Sequence, residues 1–500
     1  MVRGGQTFIL PYFFRQLSSM TLQNQFAIPK IKNRLGLLAL FFLDFSALFI
    51  IFLAAALIRQ ELLPHFLKNL PLYHYNFSYY WWIFAAWLGT MLYEQGYSRR
   101  FALWDEVKFI WKSALFASLA ILAMLFLLKR GAYYSRLLAI MTFTLAVIFF
   151  PIIRLKSKKL LYSLGLLRRK ILIIGSGKAA VNAYKAITGE PNLGYQVAGF
   201  VDDNPAAVEI CGFRVHPGID QIERYINSSG IHDVVVAKPE LEKTALERLI
   251  NHIQHKAENT LFIPDISGIA VAGTELRHFF KEQTMVIEIK NNLANPLTYF
   301  TKRSFDYAAA ACVSVLLALP MLLIALFIKL SSSGPATYKQ ERVGKNGKPF
   351  WCYKFRTMYP DAAARLKDLL AKDPDLKTEW ETNFKLKIDP RITGIGDFLR
   401  RTSLDELPQL LNILKGEMSL VGPRPVVTEE IRDYYKEDAA FYFRVPPGLT
   451  GLWQVSGRSE TTYEYRVSLD SWYVKNWNIW LDVMILFKTV GVVLDREGAR

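Results

Sequence analysis

Asp405 and Glu406 are adjacent carboxylates inside the stretch TSLDELPQLLNILKGEMSLVGPRP, residues 402–425, and Arg424 follows between Pro423 and Pro425. Paired acids beside an arginine on stiff backbone suit metal-assisted chemistry on a phosphate. Ser403 and Glu406 form the Ser-x-x-Glu capping-box pattern, which predicts a helix start there, with Gly416 as its stop. Pro408 either removes one early helix bond or delays that start. A helix N-terminus carries the positive end of the peptide dipoles and favours ionised carboxylates. Mg2+ is a hard cation that prefers oxygen ligands, and a carboxylate can also attack phosphorus. Neighbours on a helix point about 100° apart, so the two acids are expected to hold different tasks. Plain helix capping is the bland alternative for both.

The surrounding cations favour the chemical reading. Arg391, Arg400, Arg401 and Arg424 bracket the acids, and Lys354 and Arg356 alternate along an expected strand. Alternate strand residues share a face, and guanidinium groups hold pyrophosphate through bidentate contacts. Arg401 cannot share a helix face with Arg400 and reads as a surface residue.

The elements that must position this set lie in a long, largely apolar chain. Of its 500 residues 52% are hydrophobic, yet 21% are charged and the net charge is +17, which fits a part-membrane, part-soluble protein. The basic residues cluster beside apolar runs, so we read them as positive-inside flanks and anionic-lipid contacts, with no nucleic acid as partner. Cys211, Cys312 and Cys352 have no metal-ligand spacing and read as reduced packing residues. The first apolar run comes too late for a cleaved signal peptide.

Four apolar runs, near Leu35–Ile58, Tyr79–Tyr93, Val107–Leu128 and Leu137–Ile153, predict four transmembrane helices over 35–155 after a basic segment, 1–34. Tyr80, Trp81, Trp82 and Trp87 in the second run read as an interfacial belt. Lys30, Lys32 and Arg34 precede the first helix, and Arg99, Arg100, Lys108 and Lys112 sit around the second and third. Arg154, Lys156, Lys158, Lys159, Arg168, Arg169 and Lys170 follow the fourth. This pattern puts both ends of the region in the cytoplasm, against the milder pull of Lys129, Arg130 and Arg136.

Residues 168–292 read as an α/β Rossmann-like cytoplasmic domain, with strands at Lys170–Ile174, Gln196–Val201, His232–Ala237 and Thr260–Ile263. Gly175, Gly177 and Asp202 form a fair dinucleotide fingerprint. A bound nucleotide and an empty or regulatory turn fit it equally. No tyrosine is followed four residues on by lysine, which argues against a dehydratase or epimerase of the short-chain type. No P-loop motif occurs.

The fifth apolar segment, 304–330, has basic flanks and contains Pro320, which predicts a kink. A kinked helix that dips into the membrane and returns to the same face keeps the chemistry on the cytoplasmic side. Tyr338–Met358 reads as a strand pair around Lys345-Asn-Gly347, Asp361–Lys387 as a charged helical insert, and Trp477–Leu494 as a core helix or one lying on the membrane surface.

Residues from about 302 to 500 resemble the bacterial sugar transferase family, the monotopic phosphoglycosyl transferases. The motifs that carry the likeness are QERVGKNGKPF, YKFRTM, DPRITGIG, RRTSLDELPQLLNILKGEMSLVGPRP, PGLTGLWQVSGR and SWYVKNWNIWLD. The front half resembles the long members. The resemblance implies an α+β catalytic domain with a re-entrant helix broken at Pro320, although Leu319 stands where many members have serine. It implies transfer of a hexose-1-phosphate from a UDP-sugar to undecaprenyl phosphate with Mg2+, releasing UMP, as the first membrane step of surface polysaccharide synthesis. Galactose members are the nearest likeness and glucose members near neighbours. By the same resemblance Asp405 is the nucleophile and Glu406 assists at the metal and phosphates. Lys354, Arg356, Arg391, Arg400, Arg424 and Arg458 are the expected substrate-binding set. The place is the bacterial inner membrane, with the catalytic domain facing the cytoplasm. The aromatic-rich surfaces of the front helices leave room for a homodimer. A non-catalytic membrane scaffold is the rival reading, and it predicts that Asp405 is dispensable.

Overall fold

The computed structural model describes residues 10–67, 80–127, 135–219, 222–231, 233–254, 256–265, 275–279, 284–288, 292, 295–372, 389–457 and 462–495. It divides into two compact units, Met1–Ser267 and Gly268–Arg500.

The first unit opens with four helices, α1 (Leu10–Leu57), α2 (Trp81–Tyr93), α3 (Leu103–Leu127) and α4 (Arg136–Ser163). A π-helical turn at Ile58–Leu62 extends α1 to Phe66. Lys32–Phe66, α3 and α4 are long and apolar enough to cross a membrane. Helix α2 has 13 residues, about 20 Å of rise, which falls short of a hydrocarbon core of about 30 Å. The expected aromatic belt is divided. Trp81 is exposed, whereas Tyr80 and Trp87 are buried in the bundle core, where Trp87 meets Phe143 and Phe150.

Helix α4 continues past Ile153 to Ser163, and this corrects the reading of two basic residues as flanking charge. Arg154 and Lys158 are buried. Arg154 pairs with Asp44 of α1, donates Nε to Glu106 of α3 at 2.9 Å and donates Nη2 to the Gly96 carbonyl at 2.7 Å. Lys158 Nζ reaches the other Glu106 oxygen at 2.6 Å. Two acids and two bases thus neutralise one another across three helices. Apolar patterning hid this, because Asp44 is one acid in an otherwise apolar run.

Strands β1 (Arg169–Ile174), β2 (Tyr195–Val201), β3 (Glu209–Ile210), β4 (Phe213–His216), β5 (Asp233–Val236) and β6 (Asn259–Phe262) form one sheet in the order β3-β4-β2-β1-β5-β6. All neighbours run parallel except β3 with β4. The expected strands are present, although His232 lies outside the described residues. Successive residues of β1 face opposite sides. Ile171 and Ile173 pack under Ala180 and Ala183 of α5 (Lys178–Gly189). Leu172 and Ile174 pack with Ile222 and Ile226 of α6 (Ile222–Ser229) and Leu249 and Ile253 of α7 (Lys243–Gln254). Burial on both faces explains the unbroken apolar run. The turn before β2 reaches the bundle: Arg100 donates to the carbonyls of Leu167 and Leu193 at 2.8 and 2.6 Å, and Asn192 donates to Glu106.

The second unit has an antiparallel pair, β7 (Glu275–Phe279) with β8 (Thr284–Glu288), and then the long helix α8 (Pro296–Ser331). Helix α8 begins eight residues before the expected 304. The missed signal is Asn295-Pro296: the Asn295 side chain accepts from the Leu297 N–H at 3.0 Å, and proline suits the first helical position. Pro320 lies inside the helix without ending it.

Next come the antiparallel strands β9 (Thr337–Val343) and β10 (Pro349–Phe355), joined at Lys345–Gly347 as expected. Helix α9 (Ala362–Lys372) opens the charged insert, whose remainder up to 388 is outside the described residues. Helices α10 (Gly394–Arg401) and α11 (Leu410–Leu414), the parallel pair β11 (Ser419–Val421) and β12 (Gly448–Thr450), and helices α12 (Tyr463–Lys475) and α13 (Ile479–Asp495) complete the unit.

Its core joins Leu410, Ile413, Met418 and Leu420 to Trp477, Leu481 and Ile485. Helix α13 is therefore a core helix on one face, while Phe487 and Val490 stay exposed on the other. Lys302 of α8 bonds Asp306 and Asp482 inside this unit. All three cysteines are free. Cys352 is buried as expected, but Cys211 and Cys312 are exposed.

Candidate active site

Asp405 and Glu406 lie in a 3-10 turn, Leu404–Gln409, that feeds into α11. The capping box does not form. Ser403 adopts φ +56°, its side chain makes no cap, and Glu406 turns instead to Lys354. Pro408 delays the helix to Leu410, the second of its two expected effects, and Gly416 at φ +85° ends it.

Both acids are partly buried. Glu406 accepts from Lys354 Nζ at 2.7 Å. Burial, then the Glu406 charge, push the Asp405 carboxyl above the ordinary carboxylate range, while Lys354 and Arg400 pull it back.

Arg400 is fixed from beneath. Gly396, one turn earlier on α10, presses on the Thr357 backbone so closely that a Cβ would sit 2.0 Å from its carbonyl oxygen. The Thr393 N–H donates to the same carbonyl at 3.0 Å. Arg400 Nε then donates to Thr357 Oγ1 at 2.9 Å, with Asp405 acting on its charge. A cleft lined by Arg342, Lys354, Glu406, Gln409, Arg424 and Gln454 adjoins the acids. Arg424 is exposed, with its guanidinium 5.6 Å from the Trp453 ring centre.

The expected cations therefore separate. Lys354, Arg400 and Arg424 gather around the acids. Arg356 is buried and donates to the Ser332 and Ser333 carbonyls and to Ser332 Oγ, holding the end of α8. Strand alternation failed for it because it stands one residue past the end of β10, where the chain turns. Arg391 is buried in a two-point pair with Asp389, at 2.8 and 2.6 Å. Arg401 pairs with Asp397 on the surface, as expected. Arg458 lies outside the described residues. Sequence reading missed Arg342, a cation in the QERVG motif, and Trp453, the ring beneath Arg424.

The donor set fits Mg2+ shared with a phosphate ligand. Two adjacent carboxylates supply hard oxygen atoms, and Mg2+ characteristically takes one or two carboxylates plus substrate phosphates. Among the described residues no group of three His, Cys, Asp or Glu could hold a metal by protein alone.

In the first unit, Gly175 has φ +118°, and a Cβ there would meet the Ala237 carbonyl at 2.6 Å. Gly177 caps α5. Asp202 is committed within the domain, to Lys238 Nζ at 2.7 Å and Ser176 Oγ at 2.6 Å. Burial raises its carboxyl, but these bonds outweigh that and hold it low.

Known proteins share both halves. Residues 297–496 match the family model described as bacterial sugar transferase, and residues 93–264 match that of a CoA-binding domain. The undecaprenyl-phosphate galactose phosphotransferase of Salmonella typhimurium is 40% identical, over 81% of this chain and 84% of that protein. The UDP-galactose-lipid carrier transferase of Erwinia amylovora is 40% identical over 83% and 86%. The UDP-glucose:undecaprenyl-phosphate glucose-1-phosphate transferase of Escherichia coli is 30% identical over 65% and 68%. The acids and cations gathered at the cleft lie within the matched segment, and with relatives of this identity and coverage the chain is an enzyme of the bacterial sugar transferase family.

Proposed function

We propose that this enzyme transfers galactose-1-phosphate from UDP-galactose to undecaprenyl phosphate, giving undecaprenyl-diphosphate-galactose and UMP. The observation that carries the reading is Asp405, partly buried beside Glu406 with Lys354, Arg400 and Arg424 converging on them. The two 40%-identical relatives are named for galactose transfer, which favours that sugar; glucose is the alternative.

In this mechanism an Asp405 oxygen attacks the phosphorus bonded to the sugar, and the bond to the UMP oxygen breaks. An aspartyl phosphosugar forms and UMP leaves with the electron pair. A lipid phosphate oxygen then attacks the same phosphorus and returns Asp405 as a free carboxylate. Lys354, Arg400 and Arg424 hold the phosphate oxygens and offset the charge that develops. Bound Mg2+, held by Asp405 or Glu406 with the phosphates, would neutralise donor charge.

We place the site at the cytoplasmic face of the inner membrane, with α8 entering and leaving by that face. Support comes from both halves of α8 packing on its own unit. Phe305, Ala309 and Ala310 join the core of Leu410 and Ile413, while Ile324 and Ile328 join Phe355 and Leu399. Leu407, beside the two acids, packs against both clusters. Between them Val315, Leu316 and Leu319 are bare.

The test is UMP release by detergent-purified enzyme given UDP-galactose or UDP-glucose and Mg2+ without lipid. The expected result is a burst approaching one UMP per enzyme, a matching mass on the protein, and loss of both in Asp405→Asn. Steady turnover only with lipid would replace the covalent route by direct transfer. No turnover with lipid and either sugar would overturn the function.

A further inference from the structure

Arg424 is exposed on a loop, so something must fix the backbone that presents it. Asp470 of α12 lies behind that loop and is 2% exposed. Its Oδ2 accepts the Tyr435 O–H at 2.7 Å, while Oδ1 has no hydrogen bond of ordinary geometry among the described residues. The Arg424 charge acts on the same carboxyl. Burial still pushes the Asp470 carboxyl up to about 7. A buried acid without an ion-pair partner costs stability, and a hydrophobic residue would fill the space without that cost.

What surrounds it ties the loop to the cleft wall. Tyr435 closes a π-helical turn, Ile431–Tyr435, a geometry common at functional sites. Its ring meets Tyr442 edge-on at 5.2 Å. The Tyr442 O–H donates to the Val343 carbonyl at 2.8 Å, and the Val343 N–H donates to the Val426 carbonyl at 2.9 Å. Val343 follows Arg342, a cleft cation, and Val426 follows Pro425.

We propose that Asp470 is a positioning residue for Arg424. It braces the Pro423–Pro425 loop through Tyr435 and Tyr442, whose hydroxyl accepts from the Val426 N–H at 3.4 Å, so that the guanidinium meets a nucleoside diphosphate at the cleft. The proposal rests on the function given above for the reaction it serves, but it concerns binding and can be tested without turnover.

The experiment is calorimetric titration of UDP, with Mg2+, into full-length enzyme in detergent, for wild type, Asp470→Ala, Arg424→Ala and the double variant, with melting temperatures recorded. Asp470→Ala should weaken UDP about tenfold alone and less than twofold in the Arg424→Ala background. Its melting shift should be the same in both backgrounds. Asp470→Asn keeps an acceptor for the Tyr435 O–H and should bind within about twofold of wild type. Additive losses of affinity, or unchanged affinity in Asp470→Ala, would overturn the proposal. If Asp470→Ala does not fold, Tyr435→Phe takes its place in the cycle, with a loss of about threefold alone, none beside Arg424→Ala, and the same two overturning outcomes. Wild type that neither binds UDP nor releases UMP would refute the function itself, whereas wild-type binding with additive losses would refute only the role of Asp470.

Discussion

In the proposed mechanism Asp405 combines a catalytic demand with a structural cost. Its carboxyl is raised by burial and by Glu406, so its folded-state value lies above the unfolded one. The proton is then bound more tightly in the folded protein, and stability falls as pH rises through the window between the two values. Asp405→Asn carries no charge to bury. It should abolish the UMP burst by about 10³-fold or more and still raise the melting temperature at pH 7. Attack needs the ionised form, so the burst rate should fall on acidification at a pH above the ordinary carboxylate range. Glu406→Gln removes the like charge and should move that limb to lower pH; Lys354→Met removes a stabilising cation and should move it higher. The pH at half-maximal burst rate measures both shifts, and coincident limbs in all three proteins would contradict them. Much of this site was legible in the sequence, because acids and cations at short spacing advertise themselves. The split of Arg356 and Arg391 from the others was not. Their partners, the Ser332 and Ser333 carbonyls and Asp389, are set by where the chain turns.

Elements decide whether those residues meet. Helix α10 aims Arg400 because Gly396 lets it lie on the Thr357 backbone. Gly396→Ala forces that contact apart and should cost about 1–3 kcal/mol, with a weakened burst even at temperatures where the protein stays folded; denaturant melts and burst amplitude report the two losses. Helix α8 has both halves on one unit. With Cys211, Cys312 and Cys352 replaced, cysteines placed at the exposed Thr301 and Ser333 should react with an impermeant maleimide from the same side of sealed vesicles. Labelling from opposite sides would make α8 a full crossing. Periodicity revealed that this helix exists, and Asn295-Pro296 marks its start, but the packing of its second half depends on Phe355, Leu399 and Leu407, far away in sequence. The failed capping box at Ser403 has a similar cause, since Lys354 on another strand captures Glu406.

At the scale of the whole chain, hydropathy located the apolar helices and short apolar runs located the sheet, because burial on both faces leaves an unbroken apolar trace. Ion pairs leave none. Asp44, Glu106, Arg154 and Lys158 neutralise one another inside the bundle, although the two bases read as flanking charge. Arg154→Met leaves Asp44 without its cation and Glu106 with Lys158 alone, a loss of about 3–5 kcal/mol for a broken buried pair. The membrane-extracted yield and melting temperature of that variant should both drop, and wild-type values for both would mean the network is dispensable. The network also has a consequence in time. Asp44 and Arg154 stand 110 residues apart, so at synthesis rates of about 5–20 residues per second the acid leaves the ribosome roughly 5–20 s before its partner. Until then it must be protonated or sheltered at the insertion machinery. The first helix therefore cannot settle before the fourth is made, and biogenesis of this enzyme has a built-in waiting step.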